Sequence, residues 1–277
     1  MSSAATALRL LVIGAHPDDA EFHVGGLLER FCSAGHRVHV ISVTDGAAGH
    51  HQLPADELAK VRAAEAERAG SLGGFTTEVW SHPDGGLEPT LAVRLQVIRA
   101  IRAFAPDLLL THRVNDYHPD HRAVGQLVQD ASFMVRVPKV APEVPALRAD
   151  PVVLFMADFF TRPNPLRGDV VLDVGAQMPR IIELLDCHAS QVYEWLPWLD
   201  GRLDVPSTPA ARRAWLQAWF AHRPRAIAER HREALVHAYG DRAQDVEFAE
   251  ALEESEYGRR LTPRLRQLLF GWLYERS

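Results

Sequence analysis

The chain has 277 residues, 47% hydrophobic and 24% charged, which suits one large α/β domain with a core that needs no disulfide or structural metal. Thirty basic residues against 36 acidic ones give a formal charge of −6 and argue against the basic footprint of a nucleic-acid binder. Two cysteines, Cys32 and Cys187, cannot build a disulfide framework or a cysteine zinc ribbon; with no apolar run near the ~18 residues of a membrane span and no signal pattern in Met1 to Arg9, the expectation is a cytoplasmic protein without membrane or nucleic-acid partners.

Leu8 to Ala15 is a continuous apolar run, as expected of a strand buried on both faces of a parallel sheet. Glu21 to Ala34 follows with helical periodicity, its stripe being Phe22, Leu27, Leu28 and Phe31, and Gly35 stops it. Val38 to Val43 is a second strand and Asp56 to Leu72 a second helix, closed by Gly73 and Gly74. Strand Thr77 to Ser81, helix Leu91 to Phe104, strand Asp107 to Thr111 and a helix from about Arg122 to Phe133 continue the alternation, which implies right-handed βαβ crossovers. Four prolines between Val135 and Pro151 mark an irregular excursion. Val152 to Met156 and Val170 to Val174 resemble further strands, and Met178 to His188 a helix. Beyond Pro206 the pattern is helical throughout, with Trp215, Trp219 and Phe220 at helical spacing and an apolar, basic Leu261 to Tyr274; this region is a helical cap or a homo-oligomer surface. The expected fold is therefore a Rossmann-like, mostly parallel sheet with helices on both faces over residues 1–205, with a helical extension over 206–277 packed on the same domain.

Two segments carry chemistry. His16-Pro17-Asp18-Asp19 directly follows the first strand, and His118-Pro119-Asp120-His121 follows the Asp107 to Thr111 strand, so both open onto the carboxyl edge of one sheet. Helix capping by Asp with Pro in the first turn accounts for either segment alone. It does not account for a histidine before the proline at both strand ends. Two histidines and a carboxylate form the open three-ligand set of hydrolytic zinc enzymes. Dinucleotide and Walker-type phosphate fingerprints are absent from the sequence.

With these residues in view, the chain resembles the LmbE-like or PIG-L family of zinc-dependent N-deacetylases, through Ala15 to Asp19, His118 to His121, Thr44-Asp45-Gly46 and Val61 to Glu65. It departs at Ala20, where many members carry Glu; here Glu21 stands one place later. The resemblance implies one Zn²⁺, with Fe²⁺ able to use the same ligands, held by His16, Asp19 and His121. It implies Asp18 as general base toward the attacking water, His118 near the developing oxyanion and Asp120 as the partner that orients His118. On that basis His118 is expected to be cationic, its pKa raised by Asp120. The resemblance also assigns Arg62 and Asp84 to sugar hydroxyls and His188 to the border of the pocket. The residues themselves allow plainer readings: Arg62 on a solvated helix face, Asp84 in a Pro-Asp-Gly turn, and His50-His51 in an exposed loop. Trp195 and Trp198 either stack on a sugar or pack against the tail, and a Cys187 or Ser190 nucleophile beside His188 is a rival scheme. The expected activity is removal of an acetyl group from an N-acetylglucosamine-type sugar or glycoconjugate. The alternatives are an amidase of a larger acyl or thiol-conjugate amide, and a catalytically silent metal-binding module.

Overall fold

In the computed structural model, residues 7–202 and 204–274 are described, so only the last part of the Met1 to Arg9 stretch falls within it. Seven strands form one sheet: β1 (Arg9–Gly14), β2 (Arg37–Thr44), β3 (Thr76–His82), β4 (Leu108–Thr111), β5 (Val152–Met156), β6 (Val170–Asp173) and β7 (Ala249–Glu254), in the order β3-β2-β1-β4-β5-β7-β6. The first five strands run parallel, with Leu10 of β1 in register with Val38 of β2 and Leu108 of β4. β7 alone runs antiparallel, between β5 and β6.

Strand alternation explains the two main cores. Leu10 and Val12 of β1 face one layer, with Leu27, Leu28 and Phe31 of α1 (Asp19–Ser33), Ala69 of α2 (Ala55–Gly73) and the apolar stripe of α5 (Met178–Asp186). Leu11 and Ile13 face the other, with Val97 and Ile98 of α3 (Leu91–Phe104) and Val124, Leu127 and Val128 of α4 (Pro119–Met134). Side chains of successive strand residues point to opposite faces, so a strand buried on both sides reads as an unbroken apolar run. A Rossmann-like, mostly parallel α/β fold is thus present.

The expectation of helix throughout the tail fails at one place. After α6 (Leu196–Leu199), α7 (Pro209–Phe220), α8 (His222–Arg230) and α9 (Arg232–Tyr239), the chain returns to the sheet as β7. Its sequence, Ala-Glu-Ala-Leu-Glu-Glu, has the composition of a helix, but pairing on both sides and burial of Ala249 to Leu252 outweigh that propensity.

β7 also reaches α1. Val24 leaves the helical region (φ −143°, ψ 27°) and breaks α1, which frees amide groups in mid-helix. Glu250 of β7 accepts them, from Gly26 at 2.7 Å and Leu27 at 3.0 Å. A side chain at Gly26 would collide with Val174, its Cβ falling 2.6 Å from the valine Cγ1. Burial outweighs those two hydrogen bonds and pushes the Glu250 carboxyl up to about 7.

Candidate metal centre

The chain turns back between β1 and β4: β2 and β3 extend the sheet to one side, and β4 and β5 to the other. Ligands of open α/β sheets bind at this switch point, beyond the carboxyl ends of the strands. There β1 delivers His16, Asp18 and Asp19, and β4 delivers His112, Asp116, His118 and His121. The His-Pro-Asp-His segment lies in the first turn of α4, with His118 at the N-cap.

His16, Asp19 and His121, more than a hundred positions apart in sequence, converge. His16 Nδ1 is 3.2 Å from His121 Nε2, His121 Nε2 is 3.3 Å from Asp19 Oδ1, and Asp19 Oδ2 is 3.6 Å from His16 Nδ1. Bonds of about 2.0–2.2 Å in a tetrahedron place neighbouring donors about 3.3–3.6 Å apart, a spacing these contacts approach, with Asp19 meeting His121 through Oδ1 and His16 through Oδ2. The outward atoms of each ligand also face polar partners. His16 Nε2 lies 3.1 Å from Asp84 and 3.3 Å from Asp120, and His121 Nδ1 lies 3.0 Å from Asp116. Asp19 Oδ2 accepts the amides of Ala15 (2.9 Å) and His16 (2.8 Å) and the ring N–H of His112 (3.0 Å). Carboxylates holding the far nitrogen of a histidine are the usual support of a metal ligand. The residues present fit a divalent ion.

Charge agrees with that fit. Burial lowers the affinity of His16 for protons, but Asp120, Asp84 and Asp19 outweigh it and raise its pKa to about 10. For His121, burial is likewise outweighed by Asp19 and Asp116, and its pKa rises to about 9. Four carboxylates around these rings, Asp19, Asp84, Asp116 and Asp120, therefore bind positive charge, as protons when nothing else supplies it.

Asp18 lies in the cavity wall and contacts Arg62, whose Nη2 is 3.2 Å from Asp18 Oδ2 and donates to the carbonyl of Pro17 at 2.7 Å. Its backbone takes φ 155°, ψ −20°, a conformation rare for a residue with a side chain. Burial, aided by Asp19 and opposed by Arg62, pushes its carboxyl up to about 6. Arg62 is 2% exposed, which overturns the reading of a solvated helix face.

Other expected positions move. The Asp120 carboxylate accepts the amides of Gly85 (2.7 Å) and Leu87 (3.1 Å) and reaches His16, whereas its nearest approach to His118 is 3.9 Å. The Asp120 amide donates to His118 Nδ1 at 3.2 Å. Burial, followed by the charges of His16 and His121, lowers the His118 pKa against the pull of Asp120, so the expected cation is not favoured. With Nδ1 accepting, the neutral ring carries its proton on Nε2. Asp84 binds His16 and the Ala48 amide, beyond a plain turn role. His188 has no exposed surface and is absent from the cavity wall; its Nε2 is 3.3 Å from Glu21. Ser190 donates its hydroxyl to Glu65 at 2.6 Å, so the rival nucleophile scheme lacks its Ser-His contact. His112 and Asp116 were missed by sequence reasoning. Their signal was position alone, between the end of β4 and the His-Pro-Asp-His turn.

The centre lies in the wall of a cavity of about 610 Å³. Its outer walls are apolar, with Phe22, Phe159, Phe160, Trp195, Leu199 and Trp219. Trp198 stacks on Trp195 (5.3 Å between centroids) and on His51 (4.7 Å), tying the loop before α2 to the rim.

Fold and site together define an α/β protein with a His/Asp centre able to hold a divalent ion at the switch point of its sheet. Residues 11–132 match the family model PIG-L, GlcNAc-PI de-N-acetylase. The chain is 26% identical over 202 residues to the diacetylchitobiose deacetylase of Thermococcus kodakarensis, covering 69% of this chain and 74% of that one. It is 23% identical over 195 residues to the 4-oxalmesaconate hydratase of Pseudomonas putida, covering 67% and 74%. In fold it is similar to N,N'-diacetylchitobiose deacetylase from Pyrococcus horikoshii, with a TM-score of 0.68, 20% identity and coverage of 91% and 85%. No described helix is long and apolar enough to cross a membrane.

Proposed function

We propose that this chain is a metal-dependent N-deacetylase acting on an N-acetylglucosamine-type sugar or glycoconjugate. The observation that carries the reading is the convergence of His16, Asp19 and His121, with contacts of 3.2 to 3.6 Å, beside a buried carboxylate, Asp18, that is spared from it. A metal ion held by those three side chains, zinc or iron, supplies Lewis acidity toward an amide carbonyl and toward water. Asp18 takes the proton of the attacking water, and its raised pKa suits a group that accepts at neutral pH and later returns the proton to the departing amine. Arg62 fixes the turn that aims Asp18. His118 donates from Nε2 to the developing oxyanion as a neutral imidazole, a contribution of about 3–4 kcal/mol to the barrier where such donors have been removed. Asp84, Asp116 and Asp120 hold the two ligand rings in place.

Since a relative at 23% identity is named a hydratase, fold alone does not select hydrolysis. Six of the seven curated relatives compared are named deacetylases, which favours an acetylated amino sugar as substrate. The test is metal analysis of the purified protein followed by an amine-release screen over N-acetylated sugars. Stoichiometric metal and released acetate are expected. Release of a longer acid in preference to acetate would move the reading to an amidase, and bound metal with no released amine would overturn hydrolysis.

A further inference from the structure

The cavity wall holds two arginines, and they differ in their pairing. Arg62 has Asp18. Arg223, supplied by α8 from the opposite end of the chain, has no carboxylate within 4.0 Å among the described residues. Its Nη2 donates to His23 Nδ1 and to the Ala157 carbonyl, both at 2.8 Å. Its Nε is buried with no acceptor, and Nη1 meets none among the described residues. The guanidinium carbon lies 5.3 Å from the centroid of Phe159, and Phe22, Trp219 and Phe220 line the same part of the cavity. His23, which Arg223 holds, stands 5.4 Å from the His112 ring and 6.3 Å from the His121 ring, which places the guanidinium one residue away from the metal-ligand cluster.

The charges of Asp116, Asp19 and Asp158 act on Arg223 without forming an ion pair, and its spare buried donors are costly unless an acceptor meets them. We infer that Arg223 is an anion subsite of the cavity and that the substrate carries a carboxylate or phosphate near its acylated amine. This deepens the deacetylase reading in naming the substrate, and rests on it there; anion binding itself does not.

The test measures binding of three sugars to the full-length, metal-loaded protein by calorimetry, with amine release followed in parallel. N-acetylglucosamine is the neutral probe, N-acetylmuramic acid adds a carboxylate, and N-acetylglucosamine 6-phosphate adds a phosphate. One anionic sugar is expected to bind at least about tenfold tighter than the neutral one, as a charged hydrogen bond predicts, and which one does so separates carboxylate from phosphate. Arg223→Gln should reduce that ratio by about 10- to 100-fold, and Arg223→Lys should keep part of it. Equal weakening of all three sugars in Arg223→Gln would show a purely structural residue and overturn the subsite, as would the lack of any preference in the parent. An anion preference without amine release would sink the deacetylase reading and leave the subsite standing.

Discussion

Asp18 combines the proposed base with the rare backbone conformation of the site. Asp18→Asn preserves shape and the three proposed ligands, so it should retain metal while turnover falls by about 10²- to 10⁴-fold, the usual worth of a general base. Metal content and amine release measured on the same sample check this, and near-normal turnover would remove the proposed base. Its raised pKa also sets a pH limb: kcat/KM should decline below about pH 6, where Asp18 is protonated and cannot accept, and a bound cation would move that limb lower still. At His16 and His121 the metal-free rings hold protons through neutral pH, so metal loading at pH 7 should release about one to two protons per ion. Affinity should then fall about tenfold per displaced proton for each unit of decreasing pH, as read by zinc titration at pH 6 and 8. Of this residue-scale picture, the meeting of the two turns was legible because two histidine-proline-aspartate segments at strand ends demand an explanation beyond capping, while the choice of His16, Asp19 and His121 as proposed ligands and of Asp18 as proposed base came from the family resemblance. The partners of those histidines were not legible. Nothing in the spacing told Asp120 to turn to His16 instead of His118, or withdrew His188 from the cavity to meet Glu21.

At the scale of elements, the sequence announced β1 to β6 and the helices α1 to α5, since apolar runs and 3.6-residue stripes survive without tertiary information. It hid β7, whose alanines and glutamates form a strand only because β5 and β6 offer edges to both sides. It also hid the break in α1, since no proline announces it and the compensating acceptor lies on another strand. Glu250 makes that compensation measurable. Its folded-state pKa stands near 7, above the ordinary value of 4.5, so between those pH values the folded protein keeps a proton that the unfolded chain gives up. The contribution of this group is fully present below about pH 4.5 and is lost as pH rises to 7, an effect of up to about 3 kcal/mol. Urea unfolding at pH 5 and 8 should show a smaller pH difference for Glu250→Gln than for the parent; identical slopes would remove the carboxyl from the balance.

For the whole molecule, the helical extension expected over residues 206–277 contributes a strand, β7, to the middle of the sheet. Truncation after residue 205 would strip β7 from between its neighbours, expose the edges of β5 and β6 and remove the acceptor of α1. Such a fragment should fail to give a cooperative thermal transition, where the full chain gives one; a well-folded fragment would show that the sheet stands without β7. The same contact has a consequence for biosynthesis. The helix that begins with a proposed metal ligand, Asp19, leaves the ribosome well before the side chain that ties off its interrupted middle, which follows 224 residues after Gly26. A nascent chain can therefore lay down its parallel strands long before the floor of the proposed site is held rigid.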